Sequence, residues 1–165
     1  MDLEAQCARL PPPDHLINWA AEIQDEHWYG IGFNGPVDLL PDEPVSGIGR
    51  HEAQAFAAWT ASLGNGLEGA VLQHEYQWEV AARSGKIEGT GRAWEWCANP
   101  FHPYPQFTPF PDTQVSQPFF GDEFFSLRGA SLHTQRCLRR ASFRNWASPG
   151  DRHGFAGTRL VFPPA

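Results

Sequence analysis

Long apolar runs, paired cysteines and positive charge are what this 165-residue chain has least of. No run of about 18 apolar residues occurs anywhere. The opening MDLEAQCARLPPPDHL lacks a positively charged start leading into an apolar core, so neither a membrane-spanning helix nor a secretory leader is expected. The three cysteines, Cys7, Cys97 and Cys137, form no C-x-x-C pair and no even-numbered framework. That usage fits a reduced, cytoplasmic setting better than a disulfide scaffold. Twelve Lys and Arg stand against 19 Asp and Glu, a net charge of −7, so nucleic acid is not the expected partner, because phosphate binding runs on basic side chains.

The chain has 41% apolar residues, enough at this length for one buried core but not for two domains. Seven tryptophans, 16 glycines and 15 prolines describe a compact fold with many irregular connections rather than a helical bundle. The charge is uneven. From Gly121 onward, Arg128, Arg136, Arg139, Arg140, Arg144, Arg152 and Arg159 face only Asp122, Glu123 and Asp151. These arginines are expected to pair with the acidic front half or with an anionic small substrate, in preference to RNA.

Periodicity predicts two helices. In RHEAQAFAAWTASLG (residues 50–64), Ala53, Phe56, Ala57, Thr60 and Leu63 recur at helical spacing and Gly64 stands where a C-cap belongs. In HEYQWEVAAR (residues 74–83), Trp78, Ala81 and Ala82 are expected to face inward, with His74 a poor N-cap. A short helix is read around Leu16 to Ile23, and residues 33–45 read as an irregular, proline-punctuated loop. Between Gly89 and Phe120 no helical period survives and only short strands are expected. Further strands are read at FFSLRGA (124–130) and GTRLVF (157–162). The expectation is an α+β domain of two helices, a small twisted sheet and long loops, with residues 1–30 a partial N-terminal segment and 31–165 the domain proper.

Five segments in order carry a resemblance: PVSGIGRHEAQAFAAW, HEYQWEVAARSG, GRAWEW, LRGASL, and FRNW with a closing GFAGTRLVF. Together they resemble the formylglycine-generating-enzyme, or sulfatase-modifying-factor, superfamily, whose fold is the irregular C-type-lectin-like one. PFHPYPQF, the Phe119-Phe120 pair and SFRNW further resemble the C-terminal domains of ergothioneine-pathway sulfoxide synthases. The resemblance implies a non-haem iron enzyme that joins a thiol to the imidazole of a histidine betaine using dioxygen. It also implies that the chain is the C-terminal part of something larger, because the three-histidine iron site belongs to a helical domain and no H-x-x-x-H occurs here. Iron(II) is thus the cofactor of the family without its ligands in this sequence, and a separate iron-binding chain is the implied partner. Arg92 stands where the family has an asparagine of a calcium or structural loop, so the resemblance gives no support to calcium at Gly91, Ala93 and Glu95. Ala147 stands where an acidic residue can follow the tryptophan of R-N-W.

Candidate site residues follow from chemistry beside the resemblance. Trp94, Trp96, Tyr104 and Trp146 offer rings for a trimethylammonium group, with at least one of the alternating Trp94 and Trp96 expected in the core instead. Arg144 and Arg152 offer a bidentate grip on a carboxylate, and Asn145 lies between Arg144 and Trp146 in the same motif. Tyr104 is the candidate phenol to supply a proton. Formylglycine generation is disfavoured, since a copper(I) site needs paired thiolates and only Cys137 lies near LRGASL. Of the seven histidines, His51 and His74 read as structural and His102 and His133 as the two worth testing. The alternative to a substrate-binding role in catalysis is a non-catalytic binding module of the same fold.

Overall fold

The computed structural model describes residues 29–32, 34–109, 115–152 and 154–162. The helix expected around Leu16 to Ile23, and His15, His27 and His153, lie outside the described residues. The chain divides into two compact units between Glu43 and Pro44. In the first, β1 (Tyr29–Gly32) and β2 (Gly35–Asp38) form an antiparallel hairpin. Residues 33–45 were expected to be loop throughout. The Asn34-Gly35 pair, a hairpin signal in itself, places a strand there instead.

The second unit holds α1 (Arg50–Ser62), β3 (Val71–Leu72), α2 (Glu75–Arg83), β4 (Trp94–Phe101), β5 (Gly121–Arg128), β6 (Asn145–Ala147), β7 (Ala156–Thr158) and β8 (Leu160–Val161). Its main sheet runs β6-β5-β4-β7, antiparallel except for the parallel β4–β7 pair, while β3 and β8 make a separate two-residue ribbon. The single strand expected over 157–162 is therefore two, split between sheets at Arg159. Among the described residues no helix is long and apolar enough to cross a membrane.

Both predicted helices form, and their ends follow local chemistry. Glu52 accepts from the Gly49 N–H at 2.8 Å at the start of α1. At α2, His74 caps better than expected. Its Nδ1 accepts from the Tyr76 N–H at 3.2 Å, and Gln77 returns a bond to the His74 N–H at 2.8 Å. The buried stripe of α1 is narrower than predicted, with Ala53, Ala57 and Thr60 buried but Phe56 and Leu63 exposed. Small residues at i and i+4 let the helix lie close, and Phe56 instead packs beside the exposed Trp59. Arg50, at the first turn, is also buried. It donates to the Ala98 carbonyl at 2.8 Å and lies 3.6 Å over the Phe125 ring, which locks α1 to the sheet, and burial lowers its pKa.

The eight-residue β4 is the main departure from expectation over 89–120. WEWCANPF is buried on both faces over its first four residues, so it carries no polar–apolar alternation to betray it. Its two faces have different work. Trp94 and Trp96 point into an apolar core with Ala53, Ala57, Leu72, Leu127, Ala130 and Ala156. The Trp96 indole N–H is satisfied by the Ile48 carbonyl at 2.8 Å. The opposite face meets α2 and is polar.

Candidate functional site

That polar face is built by strand alternation. Glu95, Cys97, Asn99 and Phe101 of β4 share one side. Register places Glu95 opposite Arg128, and Ser126 of β5 opposite Trp146 of β6. Over them lies α2, whose Glu75, Trp78 and Glu79 recur at helical spacing and so point the same way. Glu75 is almost fully buried, and its carboxylate collects donors from three elements. Arg144 donates Nε to Oε2 and Nη2 to Oε1, both at 2.7 Å, Asn99 donates to Oε1 at 2.8 Å, and Ser126 donates to Oε1 at 3.1 Å. A buried carboxylate is tolerable only with such compensation.

Glu79, one turn on, accepts from Arg128 Nη2 at 2.8 Å and from the Tyr104 hydroxyl at 2.8 Å, and pairs with Arg83 at 2.7 Å. Arg128 has no exposed side-chain surface. Its guanidinium also donates to the Ala141 carbonyl, lies 5.0 Å from the Trp78 ring, and has Nη1 3.8 Å from Glu75. Two carboxylates and two guanidiniums thus balance in charge beneath α2. Burial, and then the bond to Glu79, push the Tyr104 phenol well above its ordinary range. For Glu79, burial alone would raise the carboxyl, but the bonds from Tyr104 and Arg83 and the charge of Arg128 bring it below its ordinary value.

Three of the expected site residues come together here. The Arg144 guanidinium lies 4.3 Å over the Tyr104 ring and 4.5 Å over Phe101. Phe101 in turn stacks on Trp146 at 4.9 Å, and Phe119 backs Trp146 at 4.9 Å. Trp146 is half-buried. The other expected residues lie elsewhere. Trp94 and Trp96 are in the apolar core on the far face, Asn145 of β6 pairs with Leu127 of β5, and Arg152 is paired with Glu52 at the start of α1. His102 contacts Asp122 at 3.2 Å, and His133 lies 4.4 Å from the Phe155 ring.

Sequence reasoning missed Glu75, Glu79 and Arg128 as members of the site. Carboxylates at i and i+4 were a legible signal of one shared helix face, but their partners stand about 50 to 70 residues away. The expectation that the arginine-rich tail pairs with carboxylates earlier in the chain is met by four of its seven arginines. Arg128, Arg144, Arg152 and Arg159 pair with Glu79, Glu75, Glu52 and Glu95. Glu95 is filled in the same way, taking bonds from Gln73 at 2.9 Å, Trp78 at 3.0 Å and Arg159 at 2.8 Å.

Residues 87–163 match the family described as "Sulfatase-modifying factor enzyme 1-like domain". The structure of PvdO from Pseudomonas aeruginosa superposes with a TM-score of 0.56 over 80% of this chain and 67% of that one, at 18% identity, which speaks for the fold. In fold, and over that segment, the chain is of the sulfatase-modifying-factor type. Hercynine oxygenases are among its curated relatives. The chain is 30% identical to those of Mycobacterium tuberculosis and Mycolicibacterium thermoresistibile over 76% of its length, and 28% identical to that of Mycolicibacterium smegmatis over 78%. It spans 37% to 40% of the length of those relatives. The matched segment of the sulfatase-modifying-factor family begins just before β4 and takes in Tyr104, Arg128, Arg144 and Trp146, while α2 with Glu75 and Glu79 precedes it.

Proposed function

We propose that this chain is the substrate-binding portion of an oxygen-dependent, C–S bond-forming enzyme of the hercynine oxygenase kind, acting on a histidine betaine or related amino acid and a thiol. The observation that supports it is the convergence of Tyr104, Arg144 and Trp146 on one polar face, in a chain about 30% identical to hercynine oxygenases. The half-buried Trp146, stiffened by Phe101 and Phe119, offers a ring to the trimethylammonium group of a betaine. Arg144 is pinned by Glu75 and by the His102 carbonyl at 2.7 Å, so it presents a fixed charge beside that ring. Tyr104 holds the proton that the oxygen chemistry consumes.

Iron is the family's implied cofactor. Among the described residues no three His, Cys, Asp or Glu side chains are grouped to hold a metal ion, and no step is routed through iron. Its ligands belong, in this reading, to another segment or to a separate cytoplasmic partner chain, and the present chain alone is inactive. Incubation of the purified chain with iron(II), dioxygen, a histidine betaine and a thiol tests this. No sulfoxide is expected, and a product formed without any partner contradicts the division of labour.

A second reading is a non-catalytic binding module of the same fold. It is favoured by the inward satisfaction of the site, with the Arg144 fork engaged by Glu75 and the Tyr104 proton by Glu79. The two readings part on whether Tyr104→Phe changes turnover once an iron-holding partner is supplied.

A further inference from the structure

We propose that Glu79 is the positioning residue for Tyr104, fixing the phenol against α2 and keeping the proton on it. This deepens the reading of Tyr104 as a proton donor and rests on it for its functional meaning. The geometry is specific. Tyr104 lies in the stretch of 102–109 that follows β4, with no strand or helix of its own to hold its side chain. Its hydroxyl is 2.8 Å from Glu79 Oε2 and 3.5 Å from Glu75 Oε2. Tyr76 closes on the ring edge at 5.0 Å, and Arg144 covers its face at 4.3 Å.

Glu79 is itself held at both carboxylate oxygens. Arg128 fixes the oxygen that accepts the phenol hydrogen bond, and Arg83 fixes the other. The carboxylate therefore has one orientation available, and the phenol inherits it. The charged groups facing the phenol are Glu75 and Glu79 from α2, Arg128 from β5 and Arg144 from the segment before β6. Of these, Glu79 makes the short bond. A phenolate beside it would meet a fixed negative charge and lose its acceptor, so the neutral phenol is favoured.

The test is a fluorine NMR titration of the chain carrying 3-fluorotyrosine, with the Tyr104 signal assigned by Tyr104→Phe. In Glu79→Gln, which keeps the side chain's size and an acceptor oxygen, the Tyr104 midpoint is expected to fall by about one pH unit or more. Glu68→Gln, an exposed carboxylate elsewhere, is expected to leave it in place. A midpoint unmoved by Glu79→Gln overturns the inference. No substrate, metal or partner enters the titration, so its result is independent of the sulfoxide chemistry. If the midpoint moves while Tyr104→Phe leaves turnover of the partnered enzyme intact, the positioning stands and the proton-donor reading falls.

Discussion

Both Nε and Nη2 of Arg144 lie 2.7 Å from the carboxylate of Glu75, a bidentate pair that joins α2 to the edge of the sheet across 69 residues of chain. The same carboxylate takes bonds from Asn99 and Ser126, so α2, β4 and β5 meet at one buried anion. The pair explains why an arginine beside the candidate aromatic site is held still.

Removing that anion should be severe. Glu75→Ala leaves Arg144 without its fork partner and takes an acceptor from Asn99 and Ser126, and breaking a buried pair in this way costs about 3–5 kcal/mol. Chemical denaturation of the variant against the parent measures it. A loss under about 1 kcal/mol would mean that the network is not what holds α2 to the sheet.

Acid should weaken the fold partly through Glu79. Its carboxyl is held below its ordinary value of 4.5, and a group depressed in the folded state contributes stability that is present above the unfolded value and drains away as pH falls through the folded one. Unfolding free energy is therefore expected to decline on acidification below 4.5, and less steeply in Glu79→Gln. Superimposable acid profiles for the two proteins would remove Glu79 from that account.

The two described cysteines should differ sharply in reactivity. Cys97 is buried, and burial with the nearby Glu75 pushes its thiol well up, whereas Cys137 is exposed. Since the thiolate is the reactive form, native-state alkylation followed by peptide mapping is expected to label Cys137 readily and Cys97 only on unfolding. Equal labelling would show that β4 opens to solvent far more than its packing implies.

Gly157 should tolerate no side chain. On β7, a Cβ at this position would run into the Val45 carbonyl oxygen, a clash with backbone rather than with a movable side chain. Gly157→Ala is expected to cost about 1–3 kcal/mol in denaturant unfolding, while Gly150→Ala, with nothing within 4 Å, serves as a control close to neutral.

What could be read from residue order was whatever is local. Both helices showed because alanines and aromatics recur at helical spacing, and Trp94 and Trp96, offered both as substrate rings and as core, belong to the core alone. The strand containing them did not show. Residues buried on both faces lose the alternation that marks a strand, and Pro100 near its end, where the register with β5 shifts, argued against one. The site was legible in its aromatic and basic half, Tyr104, Arg144 and Trp146. Its acidic half, Glu75 and Glu79, looked like any solvated helix face, because their arginine partners arrive only through the tertiary fold.

The central claim is that this chain holds the organic substrates, and calorimetric titration with histidine, its betaine and common thiols tests it most directly. Binding of the betaine, or of a related amino acid, is expected, weakened at least about tenfold by Trp146→Ala, as the loss of a desolvated cation–π contact of roughly 2 kcal/mol would require. No heat from any of these ligands, with the chain shown to be folded, would contradict it.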